Sequence, residues 1–126
     1  GNDVGDSKKD KIERYLEEAR ELLEYNFFHM AKQRFQQILL LDPDRQDVKT
    51  IIERIDQSMP YLNKNVPGLE STMEKEQQTW ERFRRARMLF EANEFAAAEY
   101  ILKEIKDINP GNNFINYYLD EIEKRR

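Results

Sequence analysis

Ala19 to Pro43 reads ARELLEYNFFHMAKQRFQQILLLDP, and Ala86 to Pro110 reads ARMLFEANEFAAAEYILKEIKDINP. At an offset of 67 residues (86 − 19) the two stretches share Ala19/Ala86, Arg20/Arg87, Leu22/Leu89, Glu24/Glu91, Asn26/Asn93, Phe28/Phe95, Ala31/Ala98, Ile38/Ile105 and Pro43/Pro110. The correspondence continues as Ile52/Leu119, Glu53/Asp120 and Ile55/Ile122. A unit longer than a helical hairpin is therefore written twice, and a self-similar period of this kind marks a repeat architecture.

Within the first copy Tyr15, Leu16, Ala19, Leu22 and Leu23 recur at helical spacing, which puts them on one helix face. Asn26 interrupts this pattern, and Asn tolerates left-handed backbone and caps helices. Tyr25-Asn26-Phe27 is thus expected to turn the chain, with Asn26 capping the helix that follows. Phe28, Ala31, Phe35, Ile38 and Leu41 form the apolar stripe of that second helix, which stops near Asp42 because the residue before a proline avoids the helical region. Ala92-Asn93-Glu94 and Asn109-Pro110 repeat both signals. The alanines at 19, 31, 86 and 98 are small residues among bulky ones, which lets two helix backbones approach closely.

These residues resemble the tetratricopeptide (TPR) family, whose unit is a pair of antiparallel helices ending in a proline. The resemblance puts Pro43 and Pro110 at that terminal position. The family's small residue of the first helix falls on Ala19 and Ala86, its alanine of the second on Ala31 and Ala98, and its large aromatic on Phe35, with Leu102 in the second copy. It implies an all-α, TPR-like α-α superhelix of about six helices in two repeated three-helix units. It also implies a concave groove lined by the first helix of each hairpin, carried here by Glu13, Leu16, Arg20, Leu23 and Glu24 and by Trp80, Phe83, Arg87, Phe90 and Glu91. Where chaperone-binding members clamp a C-terminal carboxylate with lysine and asparagine, this chain has Leu16/Arg20 and Phe83/Arg87.

The expected organisation is a flexible leader at 1–7, a first unit at 8–58, a connector at 59–70 and a second unit at 71–126. Ser7 with Asp10 suggests a capping box opening a helix from Lys8 to Tyr25; a second runs from Phe27 to Leu41. Asp44 is placed to cap a third, bearing Val48, Ile51, Ile52 and Ile55 and ending near Ser58. Pro60 and Pro67-Gly68 break helical continuity, and Tyr61, Leu62 and Val66 make the intervening stretch a packed connector. Ser71 with Glu74 suggests the cap of a helix over Thr72 to Ala92. Another spans Glu94 to Ile108, and a final helix after Pro110-Gly111-Asn112 carries Phe114, Ile115, Tyr118, Leu119 and Ile122 to close the stack.

The chemistry is sparse. The 126 residues include one histidine and no cysteine, so disulfides, thiolate metal sites and a cysteine nucleophile are excluded, and His29 has no second histidine with which to hold zinc. Scattered glycines build no phosphate-binding loop, and no serine lies in a Gly-x-Ser-x-Gly setting. Glu17, Glu18, Glu21 and Glu24 interleave with Lys11, Arg14 and Arg20 as on a solvated helix face. No catalytic residue, cofactor or metal is expected, and the chain reads as non-enzymatic.

With 39% hydrophobic and 37% charged residues and a net charge of −4, the composition suits a modest helical core and gives no general attraction for nucleic acid or anionic lipid. No apolar run reaches the roughly 20 residues that span a bilayer, and no signal segment opens the chain, so a water-exposed segment of undetermined compartment is expected. The expected function is an interaction module, part of a larger protein or assembly, holding a protein or peptide partner on the repeat surface. The alternative is single-stranded nucleic-acid binding, with Trp80 and Phe83 stacking bases and Arg82, Arg84, Arg85 and Arg87 gripping phosphates.

Overall fold

The computed structural model describes residues 7–63 and 68–126; residues 1–6 of the leader and 64–67 of the connector lie outside them, and with them the expected packing of the connector through Tyr61, Leu62 and Val66. The described residues form six α-helices and no strand: α1 (Lys8–Glu24), α2 (Phe28–Leu41), α3 (Gln46–Asn63), α4 (Met73–Glu91), α5 (Phe95–Ile108) and α6 (Asn113–Lys124). They divide into two compact units at Leu62/Asn63. The offset of 67 seen in the sequence recurs in the element boundaries: Glu24/Glu91, Phe28/Phe95, Leu41/Ile108 and Gln46/Asn113.

Both hairpin turns are built by the repeated asparagine. Asn26 has φ 66° and Asn93 φ 63°, the left-handed region that Asn enters more readily than other residues bearing a side chain. In the first unit the Phe27 N–H donates to the Leu22 carbonyl at 2.8 Å and the Asn26 N–H to the Leu23 carbonyl at 3.2 Å. In the second, Glu94 donates to Leu89 at 2.8 Å and Asn93 to Phe90 at 3.0 Å. This Schellman pattern satisfies the last carbonyls of α1 and α4. The asparagine side chains do not cap the following helices, as the sequence suggested. Phe27 and Glu94 occupy those cap positions without a side-chain hydrogen bond, because a residue at positive φ ends one helix and stands one position too early to begin the next.

Three other expectations about helix ends are corrected. Thr72, not Ser71, caps α4 by accepting from the Lys75 N–H at 3.2 Å, while the Ser71 hydroxyl reaches the Glu76 carboxylate at 3.4 Å. Asp44 caps nothing: α3 begins at Gln46, and its start carries Asp47, which takes a two-pronged hydrogen bond from the Arg45 guanidinium at 2.7 and 3.0 Å. Finally, α3 does not end near Ser58 but runs through Pro60 to Asn63. Proline cannot donate to the Asp56 carbonyl, yet Asp56 and Pro60 are both exposed, so water can serve that carbonyl in place of the missing N–H. Ser7 and Asn112 do cap α1 and α6, the latter accepting from Phe114 N–H at 2.9 Å and Ile115 N–H at 3.1 Å.

The cores follow the repeat. Ala19, Ala31, Phe35 and Ile38 are fully buried in the first unit, and Ala98, Leu102 and Ile105, with Ala86, are buried in the second. α1 packs on α2, α4 on α5, and α5 on α6. The third helices bury matching positions, Val48 and Ile55 on α3 and Ile115 and Ile122 on α6. The second unit adds a strap: a Cβ at Gly111 would stand 2.2 Å from the Leu69 carbonyl oxygen, so the end of the connector crosses the α5–α6 turn at a distance only glycine admits.

Candidate partner-binding surface

The ten residues expected to line a groove come from α1 and α4, and the two helices treat them differently. On α1, Glu13, Arg20 and Glu24 are exposed and Leu16 and Leu23 are half-buried. On α4, Phe83 is fully buried and Trp80 is 6% exposed, while Arg87 and Phe90 are half-buried and only Glu91 is exposed. An accessible lining on α4 is therefore corrected: Trp80 and Phe83 are core residues.

The cause is the third helix of that unit. Tyr118 of α6 lies edge-on to Phe83, ring centroids 5.9 Å apart, and to Phe90 at 5.1 Å; Phe83 in turn stacks on Trp80 at 6.3 Å. Such aromatic contacts contribute beyond the area they bury. The Arg125 guanidinium sits 4.9 Å from the Phe90 ring centroid and 5.8 Å from that of Phe95, which covers the far end of the cluster with a cation. At the repeat offset the triad Phe83, Tyr118, Phe90 corresponds to Leu16, Ile51, Leu23. That set carries no ring, and Leu16 is half-buried where Phe83 is fully buried.

Three of the four arginines of α4 are engaged within their own unit, while Arg85 is exposed. Arg82 donates to Glu104 at 2.8 Å, Arg84 to Glu81 at 3.4 Å, and Arg84 lies 5.7 Å from the Trp80 ring centroid. Arg87 lies 5.9 Å from that of Phe83. With Trp80 and Phe83 buried, neither ring offers a face on which a base could stack.

The charges of α1 behave otherwise. Glu18 on its flank receives a hydrogen bond from Arg34 at 2.7 Å, but Glu13, Glu17, Arg20 and Glu24 make no ion pair or side-chain hydrogen bond among the described residues. Residues 13, 16, 17, 20, 23 and 24 fall at i, i+3, i+4, i+7, i+10 and i+11, one stripe along the helix.

Sequence reasoning missed two features of the second unit. Glu76 is fully buried on α4 beside Thr79, whose hydroxyl donates to the Lys75 carbonyl at 2.7 Å and accepts from the Asn109 amide at 3.4 Å. The repeat could have flagged these positions, since Thr79 replaces Ile12 and Glu76 replaces Lys9. The other is a cavity of about 210 Å³ between the start of α5 and the end of α6, lined by Phe95, Ala96, Glu99, Ile122, Arg125 and Arg126. Arg126 is paired with Glu99 there and, by that hydrogen bond, holds its carboxyl below the usual range; hydrogen bonds from Lys124 and Arg125 do the same for Glu121. No local pattern pairs residues some thirty positions apart, so the cavity was not legible.

Among the described residues no three His, Cys, Asp or Glu side chains are arranged to hold a metal ion, and no helix is long and apolar enough to cross a membrane. His29 is half-buried on α2. Comparison with protein-family models, curated proteins and solved structures finds no match.

Proposed function

We propose that this chain is a non-enzymatic protein-interaction module of TPR-like character, and that it holds a partner polypeptide on the exposed stripe of α1. The observation that carries the reading is the asymmetry of the repeat. On α4 Phe83 is fully buried under Tyr118, whereas its counterpart Leu16 on α1 stays half-buried, with Leu23 one turn pair along and Glu13, Arg20 and Glu24 exposed beside them. Apolar anchors within a charged rim are the usual anatomy of a protein interface. The part played by the TPR resemblance is a fold-level analogy, and the surface chemistry of α1 is what the proposal rests on.

The test is site-specific photocrosslinking. A photoreactive phenylalanine analogue at position 16 or 20 is expected to yield discrete protein adducts in native extract. The same group at Met88, exposed on α4, serves as the control and yields none. Absence of protein adducts from α1, or equal labelling from Met88, overturns the reading.

A further inference from the structure

The α1 stripe carries a signature of what it receives, an inference that rests on α1 being the docking face. Its exposed charges are Glu13, Glu17 and Glu24 against Lys9 and Arg20, an excess of one negative charge, and none of the five is satisfied within the described residues. Some charges elsewhere do find partners, as Lys32 does with Asp56 at 2.6 Å and Arg82 with Glu104 at 2.8 Å. Leu16 and Leu23 are seven residues apart, two helical turns or roughly 10 Å, the separation at which a second helix repeats its own apolar side.

We propose that the occupant is a basic amphipathic helix whose apolar residues, spaced i, i+3 and i+7, cover Leu16 and Leu23 and whose Lys or Arg side chains meet Glu13, Glu17 and Glu24. Helix-in-groove recognition reads such spacing through a few apolar anchors, and the flanking charges set partner choice and speed the encounter. Arg20, between the two leucines, asks for one acidic residue near the middle of the partner and so fixes its register. A strand is a poor occupant, because the described residues contain no sheet edge to extend. A second copy of the same stripe would oppose like charges, which disfavours self-association through this face.

Two labelled synthetic helices test this by fluorescence anisotropy: one with leucines at i, i+3 and i+7 flanked by lysines, the other identical but flanked by glutamates. The lysine helix is expected to bind about tenfold or more tightly than the glutamate helix, with affinity falling as salt rises. The double variant Glu13→Lys/Glu24→Lys, at two exposed positions, is expected to reverse the preference without changing the circular-dichroism spectrum. Equal affinity for the two helices, binding by neither, or an unreversed preference in the double variant overturns the proposal. So does a dimer in sedimentation velocity that Leu16→Asp dissolves. Photocrosslinks from α1 to a partner lacking a basic helix would sink this inference alone, whereas absence of crosslinks sinks the reading beneath it.

Discussion

Phe83→Ala and Leu16→Ala remove the side chain at equivalent positions of the two units, and their costs are expected to differ sharply. Phe83 is fully buried, stacks on Trp80 at 6.3 Å and meets the Tyr118 edge at 5.9 Å. Truncating a buried phenylalanine costs about 3–5 kcal/mol, being transfer plus the cavity left behind. Leu16 already meets solvent and loses only part of its burial, so Leu16→Ala is expected to cost about 1 kcal/mol, well under the range for a fully buried leucine. The single tryptophan of the chain, Trp80, lies beside Phe83, so its fluorescence during urea unfolding reports the second unit, and far-ultraviolet circular dichroism over the same titration reads the first unit for Leu16→Ala. A lower midpoint with an unchanged slope would show lost stability and not a changed unfolded state. If Phe83→Ala costs less than about 1 kcal/mol while Leu16→Ala costs more, the assignment of Phe83 to the core and of Leu16 to a surface is refuted.

Gly111→Ala places a methyl 2.2 Å from the Leu69 carbonyl oxygen, and the strap must move; a loss of about 1–3 kcal/mol is expected, read by thermal unfolding of the second unit. At the hairpin turns, Asn93→Gly is expected to be nearly neutral, whereas Asn93→Val forces a β-branched residue to φ 63° and is expected to cost about 1–2 kcal/mol, read in the same unfolding experiment. Asp47 titrates at about 2 instead of 3.8, chiefly because the Arg45 guanidinium hydrogen-bonds its carboxylate. Its folded-state value lies below its unfolded one, so the stabilisation is present above about 3.8 and is lost as pH falls toward about 2. Carboxyl chemical shifts should place that titration near 2, and Arg45→Ala should return it toward the ordinary value; an unchanged titration in the variant would exclude the pair as its cause.

The sequence by itself determined the six helices and their twofold repetition, because periodicity, Asn at the turns and Pro after the second helices act over a few residues each. Ala19, Ala31, Ala86 and Ala98 could be named as close-packed from their neighbours alone, and all four are buried. Local chemistry was less reliable at helix ends. Ser71 and Thr72 compete for one cap, and backbone geometry chose Thr72; Pro60 should break a helix, but an exposed carbonyl four residues earlier can turn to water. Which copy of the stripe is open was decided only by tertiary structure. Leu16 and Phe83 stand at one register in one pattern, and both read as exposed lining. What buries Phe83 is a residue arriving from the third helix of its unit, Tyr118, whose ring lies edge-on to Phe83 and Phe90. Burial depends on what packs against a residue from far along the chain, and a local pattern carries no record of that neighbour's size.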